Sequence, residues 1–201
     1  MATASVSSQY GEHTAILEHF KGKVGRFLDI GAFDGCTFSN TRYLAELGWS
    51  GVCVEPSPIA FRSLFANYKD NHNVELVNGG IGDKAGLAKF WVNSADGEEV
   101  DGLSSFKIEH REKFPLHPFR QIWASTISWC DLLAAHPGPY EFVNIDVEGM
   151  NERVLALMPL SPDMVCVEAD PINSVNTMKW DLAQLGLKNC EMIGGNLLAW
   201  R

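Results

Sequence analysis

The sequence predicts an α/β fold: a doubly wound, mostly parallel seven-stranded sheet with helices on both faces and a C-terminal antiparallel hairpin. Two observations predict it. Short apolar runs alternate with segments of helical periodicity along most of the 201 residues. Four of these runs end in an acidic residue, at Asp29, Glu55, Asp146 and Glu168. In an open parallel sheet the carboxyl ends of the strands share one edge, where such folds bind ligands.

Strands are predicted where short runs rich in β-branched and other apolar residues are bounded by turn residues. In chain order these runs are Gly25–Ile30, Gly51–Glu55, Val74–Val77, Leu87–Val92, Ile122–Ile127, Tyr140–Ile145 and Met164–Glu168. The tail contributes Leu187–Ile193 and Asn196–Trp200. Because Gly194 and Gly195 join these two segments, they are predicted to form a closing β-hairpin.

Helices are predicted where apolar residues recur every three or four positions. The segments are Glu12–Phe20, Cys36–Leu47, Pro58–Tyr68, Ser128–Ala135, Asn151–Met158 and Ser174–Leu185. Ser57 followed by Pro58 has the composition of a helix start, whereas Gly48, Pro159 and Gly186 are stops. Residues 1–10 are expected to be a flexible arm, and residues 11–201 are expected to form one domain.

The stretch from Arg26 to Gly35 is typical of a buried strand followed by a glycine-bearing loop. A dinucleotide loop requires glycine at three positions, but only Gly31 is present, and Phe33 would block the approach of a pyrophosphate. Asp29 would also repel a phosphate. S-adenosylmethionine has no phosphate and carries a sulfonium and an ammonium, so an acid at Asp29 or Asp34 can attract it. The loop therefore favours S-adenosylmethionine as the ligand.

The second strand ends at Glu55, whose carboxylate can accept hydrogen bonds from both ribose hydroxyls of a nucleoside. The glycine-rich exit of the third strand, at Gly80 and Ile81, suits an adenine slot, although a plain turn fits that segment equally well. The predicted cofactor-binding residues are Asp29, Gly31, Ala32, Phe33, Asp34, Gly35, Glu55, Pro56, Gly80, Ile81 and Asp146. The competing interpretation is that these acids only cap strand ends.

Group transfer to an acceptor that loses a proton is assisted by a general base or a metal. Asp146 is the first candidate for the base or for orienting the acceptor. Glu148 and Glu168 are the second candidates, and His110 or His117 the third. Each has a simpler explanation: Glu148 could begin a helix, and the two histidines could lie on the surface. A less favoured alternative is a divalent cation bound by Asp146, Glu168 and Asp170, and no metal ligand is assigned.

Residues 94–120 lack a regular pattern and contain basic residues interleaved with Phe114 and Phe119. Long irregular insertions in compact domains are commonly functional loops. This insertion is therefore expected to cover the acceptor site, and its basic and aromatic residues hint at an anionic or ring-bearing small-molecule or glycan acceptor. The simpler alternative is a solvated loop.

The composition excludes several other classes. A formal net charge of −9 argues against nucleic acid as the main partner, since phosphate binding needs a basic face. No apolar run has the roughly 18 residues of a membrane helix. The five cysteines are widely spaced, with no C-x-x-C, which indicates reduced thiols and a cytoplasmic protein. The oligomeric state is left open.

Several motifs, in this order, resemble those of the FkbM-type methyltransferases, a Rossmann-like family. They are Leu28-Asp29-Ile30-Gly31-Ala32-Phe33-Asp34-Gly35, Val54-Glu55-Pro56-Ser57-Pro58, Gly82-Asp83, Ile127-Ser128-Trp129-Cys130-Asp131-Leu132-Leu133, Asn144-Ile145-Asp146-Val147-Glu148-Gly149-Met150-Asn151 and Val167-Glu168. The resemblance implies S-adenosylmethionine-dependent methylation, usually of a hydroxyl on a sugar or natural product. Two positions depart from the family pattern. Asn144 stands where a lysine is common. The acid that the family has after Glu-Gly-x is here Glu152, displaced by one place by Asn151.

Two other functions compete with this interpretation. A nucleotide-linked oxidoreductase would share the fold, but Phe33 argues against it. A binding module that kept the fold and lost the chemistry would not need Asp29, Glu55 and Asp146 at three strand ends.

Overall fold

A computed structural model describes residues 8–95, 98–99, 102–169 and 175–201 of the chain. Its strands are β1 (Arg26–Ile30), β2 (Ser50–Glu55), β3 (Val74–Asn78), β4 (Gly80–Ile81), β5 (Gly86–Ala95), β6 (Glu98–Glu99), β7 (Phe119–Ile127), β8 (Phe142–Ile145), β9 (Met164–Glu168), β10 (Asn189–Ile193) and β11 (Asn196–Trp200). Its helices are α1 (Glu12–Phe20), α2 (Arg42–Glu46), α3 (Pro58–Tyr68), α4 (Ile108–Glu112), α5 (Trp129–Ala135), α6 (Asn151–Ala156) and α7 (Val175–Gln184). No helix among these residues is long and apolar enough to cross a bilayer.

The main sheet has seven strands in the order β10-β11-β9-β8-β1-β2-β3. Strands β9, β8, β1, β2 and β3 pair in parallel, and β11 runs antiparallel to both of its neighbours. The chain order reverses between β1 and β8, so a crevice opens at the carboxyl ends of these two strands. The predicted fold class, including the closing hairpin, is confirmed.

Both faces of the sheet are covered because the strand residues alternate between two apolar clusters. Leu28 and Ile30 of β1 pack with helices α5, α6 and α7 on one face. Phe27 of the same strand packs with helices α1, α2 and α3 on the other. These strands are therefore buried on both sides, which explains their nearly continuous apolar sequence.

A second sheet of four strands, in the order β4-β7-β5-β6, extends beside the main sheet. The predicted strands Leu87–Val92 and Ile122–Ile127 are the centres of β5 and β7, which pair antiparallel. The inserted segment, which we define as residues 102–112, lies between β6 and β7 in the chain. It is more regular than the sequence predicts, since it contains α4 and forms a short backbone pair between Ser105 and Trp91.

The predicted helix over Cys36–Leu47 is wrong in its first half, because only Arg42–Glu46 is helical. The carboxylate of Asp34 accepts hydrogen bonds from the backbone nitrogens of Cys36 and Thr37, at 2.8 and 2.7 Å. Phe38 has a left-handed backbone with φ of 53°. These local contacts hold residues 36–41 in a loop, as short polar side chains do when they compete with helical hydrogen bonds.

Two expectations fall partly outside the described residues. Of the predicted flexible arm, residues 1–7 are not described, whereas Ser8 forms a β-bridge with Phe38. Ser174, the predicted start of the last helix, and Asp170 also lie outside the described part of the chain.

Candidate active site

A cavity of about 560 Å³ opens at the carboxyl edge of the main sheet, which is an ordinary size for a small-molecule site. The inserted segment contributes residues 102–106 to the lining of this cavity. Most of the residues predicted from sequence line it together, namely Asp29, Gly31, Ala32, Phe33, Glu55, Pro56, Gly80, Ile81, Asp146, Glu148 and Glu168. The topology therefore brings the acidic ends of β1, β2, β8 and β9 to one place.

Asp34 and Gly35 do not line this cavity. The Asp34 carboxylate is directed back to its own loop, where it also accepts a bond from the Thr37 hydroxyl at 2.7 Å. Gly35 faces helix α3, and a Cβ on it would lie 2.5 Å from Leu64 and Tyr68. In the structure Asp34 fixes the loop, and Gly35 allows it to pack against α3. The predicted contact of these two residues with the cofactor stays a prediction.

Gly31 brings the loop that follows β1, called the first loop here (residues 31–35), into contact with the end of β8. Its φ is 85°, and a Cβ at this position would lie 1.7 Å from the carbonyl oxygen of Asp146. The nitrogens of Gly31 and Ala32 both donate to the carbonyl oxygen of Val54, at 2.9 and 3.1 Å. Glycine is required here because both the backbone angle and the close approach exclude a side chain.

Glu55 is buried, and two backbone donors hold its carboxylate. Oε2 accepts from the nitrogen of Phe33 at 2.9 Å, and Oε1 accepts from the nitrogen of Ser57 at 2.7 Å. Phe33 can present its nitrogen because its backbone is left-handed, with φ of 50°. The carboxylate is thus fixed at the cavity wall between the first loop and the start of α3.

Asp29 lies at the centre of a buried polar network and is 2% exposed. Its carboxylate accepts from the Thr41 hydroxyl at 2.6 Å and from the side-chain amide of Asn144 at 2.9 Å. Asn40 in turn donates to Asn144 at 3.1 Å. Burial raises the pKa of the Asp29 carboxyl, while the two hydrogen bonds lower it.

Asn40 and Thr41 were not predicted as site residues because the sequence assigned them to a helix. Asn144 was noticed only as a departure from the family pattern. Its amide supplies Asp29 with a neutral donor, so no positive charge from this position compensates the buried acid.

The acids at the carboxyl ends of β8 and β9 form a cluster in the cavity lining. One carboxylate oxygen each from Asp146, Glu148 and Glu168 lies within 4.8 Å of the other two. Burial raises the pKa of Asp146 well above its ordinary value, and the charges of Glu168 and Glu148 raise it further. Asn151 connects the two strand ends, because it accepts from the nitrogen of Val147 and donates to Glu168.

This spacing of three oxygen ligands is compatible with a divalent cation. It differs from the cation set considered from the sequence, since Glu148 takes part and Asp170 is not described.

His110 is 2% exposed, so the interpretation of it as a surface residue is wrong. Its Nε2 lies 3.2 Å from Oε2 of Glu148. His110 does not line the cavity but contacts Glu148, which does. His117 is half-buried, and its Nδ1 lies 3.3 Å from the side-chain nitrogen of Asn93.

The turn that carries Glu148 is strained and held from outside. Glu148 has a φ of 36° and Gly149 a φ of 82°. The Ser105 hydroxyl donates to the carbonyl oxygen of Glu148 at 2.6 Å. A non-glycine residue with positive φ persists where surrounding contacts impose it. Ser105 and His110 supply such contacts from the inserted segment.

Several residues that the sequence did not identify also line the cavity. They come from the inserted segment, from the loop before α2, and from the two chain ends: Gly102, Leu103, Ser104, Ser105 and Phe106, then Thr37, Phe38, Ser39 and Asn40, then Gln9 and Asn196. The run of small polar residues before Phe106 was visible in the sequence, but nothing local indicated that it turns toward the strand ends.

A family model described as "Methyltransferase FkbM domain" matches residues 29–185. No curated protein matches the chain significantly in sequence.

Similar solved structures include Aeropyrum pernix fibrillarin with bound S-adenosyl-L-methionine, at a TM-score of 0.52 and 13% identity, covering 94% of this chain and 73% of that one. A methyltransferase FkbM from Methylobacillus flagellatus has a TM-score of 0.50 and 11% identity; 89% of this chain aligns with only 44% of that chain. A precorrin-6y C5,15-methyltransferase from Geobacter metallireducens has a TM-score of 0.50 and 14% identity, covering 100% and 94%. At these identities the likeness shows the fold.

Proposed function

Because this chain belongs to the FkbM methyltransferase family, we propose that it transfers a methyl group from S-adenosylmethionine to a hydroxyl of a sugar, glycan or natural product. The observation that carries this proposal is the acid-lined cavity, in which the ends of four sheet strands meet. The alternative of a nucleotide-linked oxidoreductase is disfavoured because these carboxylates would repel a pyrophosphate.

The donor lies against the first loop. Asp29 attracts the positively charged methionine end of the donor, while the close backbone of Gly31, Ala32 and Phe33 leaves room for it. Glu55, which the nitrogens of Phe33 and Ser57 hold at the cavity wall, accepts hydrogen bonds from the two ribose hydroxyls. Pro56, Gly80 and Ile81 form the adenine slot.

The acceptor lies beside the acid cluster. Its hydroxyl oxygen attacks the methyl carbon in line with the sulfonium, the carbon–sulfur bond breaks, and S-adenosylhomocysteine leaves while the hydroxyl proton passes to a base. The donor supplies the electrophile, so the protein mainly positions the two reactants. Burial and the neighbouring carboxylates raise the pKa of Asp146, and we assign this residue to orienting the acceptor. Glu148 or Glu168 then receives the proton, and His110 supports Glu148.

The test is a transfer assay with methyl-labelled donor against a panel of glycans and small hydroxylated metabolites. Label in an alkali-stable ether product is the expected result. Label on nitrogen or carbon would show that the protein catalyses N- or C-methylation instead of O-methylation. Binding of NAD but not of S-adenosylmethionine would favour the oxidoreductase. Binding of the donor without transfer to any acceptor would favour a binding module.

Variants separate donor binding from chemistry. Asp29→Asn and Glu55→Gln should each weaken donor binding in calorimetry, by about tenfold, because a charge-assisted hydrogen bond is lost. Glu148→Gln should lower turnover by about 10²–10⁴-fold and leave donor affinity unchanged. The exposed Glu18→Gln serves as the matched control. Unchanged affinity in both donor-site variants would contradict the cofactor assignment.

The reaction as proposed requires no metal, so treatment with EDTA should leave turnover unchanged. Loss of turnover that added Mg²⁺ restores would instead assign the acid cluster to a divalent cation. The cytoplasmic location expected from cysteine usage stays a prediction.

A further inference from the structure

We propose that Phe106 forms a wall of the donor's adenine pocket, and that Ser105 and His110 connect this wall to the turn at residues 147–150, which carries Glu148. The inference rests on the proposed function and extends it, because the inserted segment was expected to cover only the acceptor. It makes one element position both the donor and the acceptor-side carboxylate.

The position of the adenine follows from that of the ribose. Glu55, the proposed ribose ligand, is followed directly by Pro56, and a Cβ on Gly80 would lie 3.4 Å from Pro56. The same Cβ would lie 2.3 Å from the ring of Phe106. Pro56 and Phe106 therefore both flank Gly80, next to the proposed ribose ligand. All three line the cavity.

The ring of Phe106 is fixed from behind. Its centroid lies 4.6 Å from that of Phe90, which is 1% exposed, and both rings belong to the apolar cluster of the second sheet. With this support, its cavity-facing surface is a rigid apolar platform. Planar bases stack on such aromatic platforms whatever their identity.

Ser105 fastens the wall to two other parts of the molecule. Its backbone pairs with Trp91 of β5, at 2.8 and 3.0 Å. Its hydroxyl donates to the carbonyl oxygen of Glu148 and accepts from the nitrogen of Lys107 at 3.0 Å. Five residues later, His110 contacts the Glu148 carboxylate. Ser105 and His110, close to Phe106 in the chain, thus contact Glu148 at its carbonyl oxygen and at its carboxylate.

Calorimetric titration with S-adenosylmethionine and, separately, with adenosine tests the adenine wall. Phe106→Ala should weaken binding of both ligands by a similar factor, about 5- to 150-fold, since the stacked base is common to them. Phe106→Tyr should retain most of the affinity, whereas Phe106→Leu, which keeps apolar volume without an aromatic face, should not. Phe65→Ala is the matched control, because Phe65 is 61% exposed on α3 and does not line the cavity.

If the wild type binds both ligands and Phe106→Ala and Phe106→Leu bind them equally well, the inference is overturned and the proposed function stands. Failure of the wild type to bind either ligand would overturn both.

Amide hydrogen exchange tests the connection to Glu148. S-adenosylmethionine should slow exchange in residues 103–110 and in residues 147–150 of the wild type. In Ser105→Ala and His110→Leu, protection of residues 147–150 should be lost, while the exposed Ser125→Ala should behave as the wild type. Equal protection of the turn in all four proteins would show that the wall and Glu148 are not connected.

Discussion

At the scale of single residues, the acid cluster makes a prediction about stability and pH. The pKa of Asp146 is raised in the folded protein by burial and by two neighbouring carboxylates. Between the ordinary value of 3.8 and the raised value, the folded state holds a proton that the unfolded chain has released. Uptake of this proton stabilises the folded state at low pH. That stabilisation is lost as the pH rises from about 4 through the raised pKa of Asp146.

Asp146→Asn removes the ionisable group and keeps the shape of the side chain. We expect its melting temperature to exceed that of the wild type at pH 7, by roughly 2–4 °C for each 1 kcal/mol gained, and the difference to shrink toward pH 4. Thermal unfolding followed by circular dichroism from pH 4 to pH 8 measures this. Asp70→Asn, at an exposed position, is the control. A variant that is less stable than the wild type at every pH would contradict the account.

Gly31 makes a second prediction at this scale. Gly31→Ala should cost roughly 3–5 kcal/mol, because the left-handed backbone penalty of about 1–2 kcal/mol is added to a collision with the main chain of Asp146. Gly48 has a similar φ of 92° but no atom within 4 Å of its Cβ position. Gly48→Ala should therefore cost only the backbone penalty. Urea unfolding of both variants gives the comparison, and equal costs would show that the close approach is unimportant.

At the scale of elements, helix α1 is fastened to the closing hairpin by one buried side chain. Glu12 is fully buried, and its carboxylate accepts from Asn196 of β11 at 2.6 Å and from the nitrogen of Tyr10 at 2.9 Å. Asn196 also lines the cavity and pairs with Glu168 across the strands. The contact therefore fixes a chain end beside the site.

Glu12→Ala should lower the free energy of unfolding by about 2–3 kcal/mol, because it leaves a buried amide and a backbone nitrogen without their acceptor. Glu18→Ala, an exposed change on the same helix, should lie within about 0.5 kcal/mol of the wild type. Denaturant titration with a common m-value measures both. A cost for Glu12→Ala as small as that of the control would mean that the hairpin does not depend on α1.

The strands β1, β2, β8 and β9 were predictable because both faces of the main sheet are covered, so each is a nearly continuous apolar run with an acid at or near its end. The helix at α3 was predictable from Ser57 and Pro58, and Ser57 does accept from the nitrogen of Ala60. The loop at residues 36–41 was not, because its apolar spacing is helical. There the side chains of Asp34 and Thr41 form local and buried hydrogen bonds that periodicity does not reveal.

The candidate site likewise contains residues that the sequence predicted and residues that it did not. Residues at strand ends were found because the topology of a parallel sheet alone brings them together. Apart from His110, residues of the inserted segment were not found, since their approach to the site depends on long-range pairs such as Ser105 with Trp91. Contacts of this kind join segments whose sequences carry no common pattern.

At the scale of the whole molecule, charge is distributed unevenly. The chain has a formal net charge of −9, and five carboxylates line the cavity: Asp29, Glu55, Asp146, Glu148 and Glu168. Among the described lining residues there is no lysine, arginine or histidine. The basic residues of the insertion do not line the cavity. The guanidinium carbon of Arg111, for example, lies 4.9 Å from the ring centroid of Trp91. The anionic acceptor suggested by the sequence thus lacks a described basic partner in the cavity.

We therefore expect neutral hydroxylated acceptors to react faster than their phosphorylated or carboxylated counterparts. A fixed negative charge a few ångströms from two or three carboxylates costs about 1–4 kcal/mol per pair, which corresponds to at least tenfold in kcat/KM. The measurement compares matched pairs, such as a sugar and its uronic acid, at 20 mM and 300 mM salt. Added salt should narrow the difference, because it screens the repulsion that causes it. A uronic acid that reacts faster than its neutral sugar at low salt would show that the acceptor contacts basic residues of the insertion instead of the acid cluster.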